Sequence, residues 1–286
     1  MRLLRALLIV WALALLWPVS VAAQSDLERA RSLYNEGLYD DAIAAALIAK
    51  NKPPNAPSAT LIAARARLER YRQGKDPQDL EAARADLISL NPRNLAPQEA
   101  IEWQIGLGTA LFLDDQSGPA ADMFTSVLSS ARSRVSPAEL EKLLEWWAAT
   151  LSRVAEALSG PARKEAYQAM ESAVRDELDR NPLSRPATYW MVVAKRGAGE
   201  LEGAWNSAVA GWIRAGSQPD AQPFRADIER FVTQTLIPER AQARTGQRLD
   251  SKATTSEIVL MNEEWRALTT RWSNQPGPAP TDGTPG

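Results

Sequence analysis

The stretch YNEGLYDDAIAAALIAKNKPPN, Tyr34 to Asn55, carries a glycine, two tyrosines, an adjacent carboxylate pair, an alanine run and two adjacent prolines within 22 residues. Two readings compete for it: an acidic site at Asp40–Asp41, or the turn and second helix of a helical hairpin. Neighbouring residues on a helix point ~100° apart, so Asp40 and Asp41 do not converge on one atom or one cation. In the first turn of a helix over 39–50 they instead meet the positive end of its dipole. Gly37 supplies the turn before that helix, and Pro53–Pro54 end it. The stretch therefore reads as structure, and the chain around it as helical.

Working outward, almost no stretch alternates with period two. Helical segments of 12 to 22 residues are separated by short Pro/Gly/Asn breaks, giving expected helices at 25–36, 39–50, 57–73, 77–89, 97–113, 117–132, 137–158, 162–180, 186–197, 200–215, 223–236 and 254–272. Ser25-Asp26-Leu27-Glu28 and Ser136-Pro137-Ala138-Glu139 match the S-x-x-E capping box, the second with proline at the first helical position, where its missing N–H costs nothing. Pro77, Pro97, Pro161, Pro186 and Pro223 sit at similar starts.

Paired short helices prompt a search for internal repeats. In the opening pair Ala30, Leu33, Gly37, Tyr39, Ala42, Ala46, Ala49 and Pro54 give a small residue, a large apolar one, a turn, an aromatic, three small positions and a closing proline. Close approach of the second helix to the first requires small side chains along the contact face. Looser copies follow: Leu68, Tyr71, Leu80, Ala83, Leu87 and Pro92, then Leu107, Gly108, Leu111, Ala120, Phe124 and Val127. A weaker pair at 137–180 closes on LDRNP, and a last one offers Gly199, Leu201, Ala204, Ala208 and Gly211. This spacing resembles the tetratricopeptide repeat (TPR) over roughly residues 25–215, clearly in one unit and degenerately in the others. The resemblance implies an all-α, right-handed α-α superhelix, a TPR-like solenoid of about five helix pairs. Residues 24–216 would form the array and 217–273 a C-terminal helical cap.

The resemblance also implies a non-catalytic scaffold that binds peptide segments on a concave face lined by the first helix of each pair. Carried over, the first unit presents Leu27, Arg31, Tyr34 and Asn35, and the second Ile62, Arg65, Glu69, Arg72 and Gln73. The third presents Glu102, Ile105, Thr109, Phe112 and Leu113, where the basic character ends. Arg31, Tyr34, Asn35, Arg65 and Arg72 are thus the candidate partner-binding residues, since guanidinium forks suit carboxylates. The alternative is that these arginines are ordinary solvated helix faces. The lysine-and-asparagine clamp of the best-known peptide-tail binders of this family is missing.

Composition narrows the chemistry. The chain has no cysteine and no histidine, which removes thiolate nucleophiles, Ser-His pairs and imidazole metal ligands. No metal site and no cofactor is expected. Carboxylate chemistry remains, so a rival reading is a carbohydrate-active α-helical envelope enzyme with two acids facing each other across a cavity. Asp114–Asp115 and Glu263–Glu264 are adjacent pairs and fail on the same geometry as Asp40–Asp41; GKDPQD at 74–79 and DDQSG at 114–118 lack the alternating ligands of a calcium loop. GLGTAL at 106–111 lies within a helix with no preceding strand, so it is not a phosphate loop.

At the N-terminus, MRLLRALLIVWALALLWPVSVAAQS places two arginines before an apolar run that Pro18 breaks, with Val21 and Ala23 ahead of a cleavage point. This is the form of a signal peptide over 1–23, cleaved near Ala23, and implies a periplasmic or secreted bacterial protein without stable membrane insertion; an uncleaved anchor is the alternative. The remaining chain holds 31 basic against 35 acidic residues, a net −4, which offers nucleic acid no basic face. At the other end, Ile258, Met261, Trp265, Leu268 and Trp272 form one amphipathic stripe. It would cap the array or, in a third reading, dock a structural subunit of an envelope complex on a partner. Residues 274–286 are proline- and glycine-rich and are expected to be disordered. Of the tryptophans beyond the leader, the Trp146–Trp147 pair is expected to split between core and an exposed seam.

Overall fold

The computed structural model describes residues 25–218 and 220–273; the expected signal peptide at 1–23 and disordered tail at 274–286 lie outside them. The described residues are helical throughout, with no strand. They fall into two compact units, one ending at Leu95 and the other beginning at Ala96. Position 216–217, the expected boundary between repeat array and cap, lies inside the second unit.

In the first unit, α1 (Asp26–Asn35) opens on the expected capping box: Glu28 N–H donates to Ser25 Oγ at 3.2 Å, and the Ser25 N–H donates to the Glu28 carboxylate at 3.0 Å. Gly37, at φ +78°, takes the left-handed conformation that reverses the chain, and Leu38 N–H closes the turn on the Leu33 carbonyl. α2 (Tyr39–Lys50) follows, then a 3₁₀ turn at Pro53–Asn55, α3 (Ala56–Gly74) and α4 (Pro77–Ser89), the last capped by the Asp76 carboxylate. Each helix packs on the next, and α1 also touches α3. α2 lies against both α1 and α3, so it needs apolar residues on two sides. Ala42, Ala46 and Ala49 are fully buried there, as is Ala30 on α1, and these small side chains set the close spacing.

The Asp40–Asp41 question is answered here. Arg70 of α3 donates through Nη1 to Asp40 at 2.6 Å and through Nε to buried Asp79 at 2.7 Å. Asp40, in the first turn of α2, shares the Arg70 guanidinium with Asp79 of α4, so the pair of acids serves as a tie between α2, α3 and α4. Hydrogen bonds to Asp79 and Asp40 hold the Arg70 guanidinium above its ordinary pKa.

The second unit runs through α5 (Pro97–Leu113), α6 (Ser117–Ala131), α7 (Pro137–Ala157), α8 (Gly160–Arg180), α9 (Arg185–Gly197) and α10 (Leu201–Ala215). These pack in succession, with further contacts of α5 to α7 and α7 to α9. The GLGTAL segment is helical, as expected from its sequence, and Gly108 seats the Phe124 ring: a Cβ added there would lie 2.6 Å from it. Phe124, Trp147, Tyr167 and Met170 fill the core of these helices. Trp147 is buried and donates its indole N–H to Thr125, while Trp146 reaches the same core from its half-buried edge.

The helix expected at 223–236 is longer and continues into one the sequence reading omitted. α11 (Ala221–Phe231) passes through a π-turn at Val232–Leu236 into α12 (Ile237–Thr245). Pro238 is the cause. Its ring collides with the carbonyl four residues back in a regular α-helix and it has no N–H to donate, so the turn before it widens and Ile237 N–H reaches the Val232 carbonyl. α13 (Lys252–Ser273) then packs on α12. Met261 and Trp265 of its stripe are buried with Trp205, Trp212 and Leu236. The stripe thus serves this chain's own core, and only its end at Trp272 is exposed.

Candidate functional site

All five candidate partner-binding residues lie in the first unit, on the two helices that begin its helix pairs. Tyr34 and Arg65 come together: the Arg65 guanidinium lies 4.6 Å from the Tyr34 ring centroid, bridging α1 and α3 by a cation–π contact. Tyr39 flanks Tyr34, with ring centroids 5.9 Å apart. Arg31 and Asn35 are exposed on α1. About two turns beyond Arg65, exposed Arg72 donates through Nε to Glu69 at 2.9 Å. Glu69 is itself buried, so Arg72 neutralises a carboxylate of its own helix as well as presenting charge. Of the five, Tyr34 and Arg65 are brought into contact, while Arg31, Asn35 and Arg72 are exposed elsewhere on the same two helices.

The other arginines of α3 do different work. Arg67 pairs with Asp86 of α4, and Lys50 of α2 reaches the same carboxylate at 3.5 Å. Together with Arg70 these tie α2, α3 and α4.

The second unit holds two acids that the sequence reading passed over, because it weighed adjacent carboxylates and not pairs four apart. Glu141 and Glu145 stand one turn apart on α7. The Trp190 indole N–H donates to Glu145 at 2.8 Å, and Tyr189 packs edge-on between Trp190 and Phe231. Burial pushes both carboxyls above the usual glutamate range; Asp227 adds to this at Glu145 and the Trp190 hydrogen bond opposes it. The same burial, with Glu145 and Asp227 nearby, raises the Tyr189 phenol. The i, i+4 spacing of two glutamates ahead of Trp146–Trp147 was the available signal. Among the described residues, no group of three or more acidic side chains is arranged to hold a metal ion. Nor is any helix among them long and apolar enough to cross a membrane.

Most tryptophans of the described residues belong to the core: Trp147, Trp190, Trp205, Trp212 and Trp265 are buried. Comparison of the chain with protein-family models, with curated proteins and with solved structures returns no match.

Proposed function

We propose that the protein is an exported, non-catalytic interaction scaffold whose helix pairs are degenerate TPR-like repeats stacked as a right-handed solenoid, and that the α1–α3 face binds an acidic peptide segment of a protein partner. One observation carries the reading: the Arg65–Tyr34 contact joins the first helices of two successive pairs, on the face where the repeat resemblance expects a ligand. The packing within each unit supports the repeat reading, since first helices touch first helices in α1–α3, α5–α7 and α7–α9. Export rests on the leader-like sequence of residues 1–23. A guanidinium already held over an aromatic ring loses little further side-chain entropy on binding, and its planar fork matches a carboxylate.

The test is binding of the mature chain, residues 24–286, to acidic and basic synthetic peptides of equal length, measured by fluorescence anisotropy at two salt concentrations. Acidic peptides should bind preferentially and weaken as salt rises. The double variant Arg31→Glu/Arg72→Glu should abolish that preference, whereas Glu263→Arg on α13 should leave it unchanged. Equal affinity of the wild type and the double variant for acidic peptides would sink the reading.

A further inference from the structure

The turn that ends α10 gathers three guanidinium groups from three helices. Arg214, in the last turn of α10, donates through Nη1 to the Pro182 carbonyl at 2.8 Å. Arg185, at the start of α9, donates through Nε to Gln218 at 3.1 Å, and Gln218 donates to the Leu183 carbonyl at 3.1 Å. Arg225 of α11 lies against Gly216. Its Nε donates to the Trp212 carbonyl at 2.9 Å, and its guanidinium stands 3.9 Å from the Trp212 ring centroid. That carbonyl is open to it because the Gly216 N–H, which would close the regular helical bond to Trp212, goes to Ile213 at 3.0 Å. Gly216 also makes room for Arg225: a Cβ added there would collide with Nη2 and lie 2.8 Å from Cζ.

Acids do not match these cations. Glu141 lies near Arg185, but among the described residues neither Arg214 nor Arg225 forms an ion pair, and Asp227, two residues beyond Arg225, pairs with Arg230 at 3.1 Å. Other half-buried arginines are neutralised: Arg67 by Asp86, Arg70 by Asp40 and Asp79, Arg196 by Glu239. Arg225 is half-buried too, and burial with no carboxylate to oppose it holds its guanidinium below its ordinary pKa. The negative end of α10 offsets only about half an elementary charge. Nη1 and Nη2 of Arg225 have no hydrogen bond among the described residues, and neither is enclosed. They form the open edge of a planar fork that the Trp212 indole and the Trp212 carbonyl already hold in place.

We infer that the turn after α10 is a binding site for an oxyanion, the carboxylate or phosphate group of an anionic ligand, taken up by the Nη1–Nη2 edge of Arg225 and reinforced by the charge of Arg214. The ligand supplies the negative charge that folding leaves out beside Arg225, and it meets a fork that needs little further ordering. The site belongs to the second unit and does not depend on the α1–α3 face.

Titration calorimetry and thermal melts of the mature chain at constant ionic strength test it, with inorganic phosphate and succinate as probes and chloride as the control anion. Saturable binding of phosphate or succinate, with a rise in Tm that chloride does not give, is expected. The tighter probe identifies the group recognised. Arg225→Lys keeps the charge and loses the fork, and should weaken binding by about tenfold. Gly216→Ala suits the backbone, since Gly216 is right-handed helical at φ −62°, and it changes no charge. Its methyl group displaces the Arg225 guanidinium, so binding should fall to a similar extent. Arg31→Glu/Arg72→Glu, on the α1–α3 face, should leave the affinity within about twofold. No saturable binding of either probe below ~10 mM, an equal response to chloride, loss of binding in the α1–α3 double variant, or wild-type affinity in both Arg225→Lys and Gly216→Ala would overturn the assignment.

Discussion

Trp265→Ala on α13 tests whether the last helix belongs to the core of the second unit. Trp265 is 2% exposed and packs edge-to-face on Trp205 at 5.5 Å and on Trp212 at 6.3 Å, so truncation opens a cavity between α10 and α13. Removing a buried tryptophan costs ~3–5 kcal/mol. In a unit of this size each kilocalorie moves Tm by ~2–4 °C, so the expected loss is ~6–20 °C. Beyond the leader every tryptophan lies at position 103 or later, so tryptophan fluorescence during a melt reports the second unit alone. Two controls sharpen the outcome. Trp272→Ala removes the exposed end of the same stripe and should shift stability by no more than ~0.5 kcal/mol. Trp265→Phe keeps most of the packing and removes an indole N–H that is buried without a partner, so it should cost far less than alanine. If Trp265→Ala melts within a degree or two of Trp272→Ala, α13 is not part of that core and its stripe is free to serve a partner.

Three other outcomes follow from local geometry. Arg70→Ala strands the buried Asp79 carboxylate and frees Asp40, and should cost about 2–3 kcal/mol in a denaturant titration followed by far-UV circular dichroism. Gly108→Ala forces a methyl group against the Phe124 ring, an overpacking worth ~1–3 kcal/mol in the same assay. Glu145→Gln keeps the acceptor for Trp190 and removes a carboxylate whose folded-state pKa is raised by burial. A raised acid is more easily protonated when folded, so its ionised form costs stability above that pKa and costs nothing below the unfolded value. The variant should therefore melt higher than wild type at neutral pH, and the gap should close as the pH falls through the raised pKa towards ~4.3. A gap independent of pH would exclude ionisation as the cause.

Local signals made most helices legible. The capping boxes at Ser25 and Ser136 and the starts at Pro77, Pro97 and Pro137 are interactions within four residues, and α2, α4 and α5 begin and end where the sequence places them. The α11–α12 junction was not legible, because a proline inside a continuing helix survives only through the π-turn that α10 and α13 pack around. The candidate face was legible as residue types on helix positions. Its one defining contact, between Tyr34 and Arg65, joins helices from different pairs and depends on how those helices cross.

From the sequence alone came the helical class, the turn at Gly37, the alanine contact face of α2 and the exclusion of thiol and imidazole chemistry. All of these depend on near neighbours along the chain or on residues that are simply absent. Tertiary structure decided the partners: Arg70 for Asp40 and Asp79, Trp190 for Glu145, Glu202 for Arg240, and the core rather than the surface for Trp265. Charge pairing and burial are set by distance in space. Residues 30 or more positions apart, as Asp40 and Arg70 are, meet only after the helices have packed.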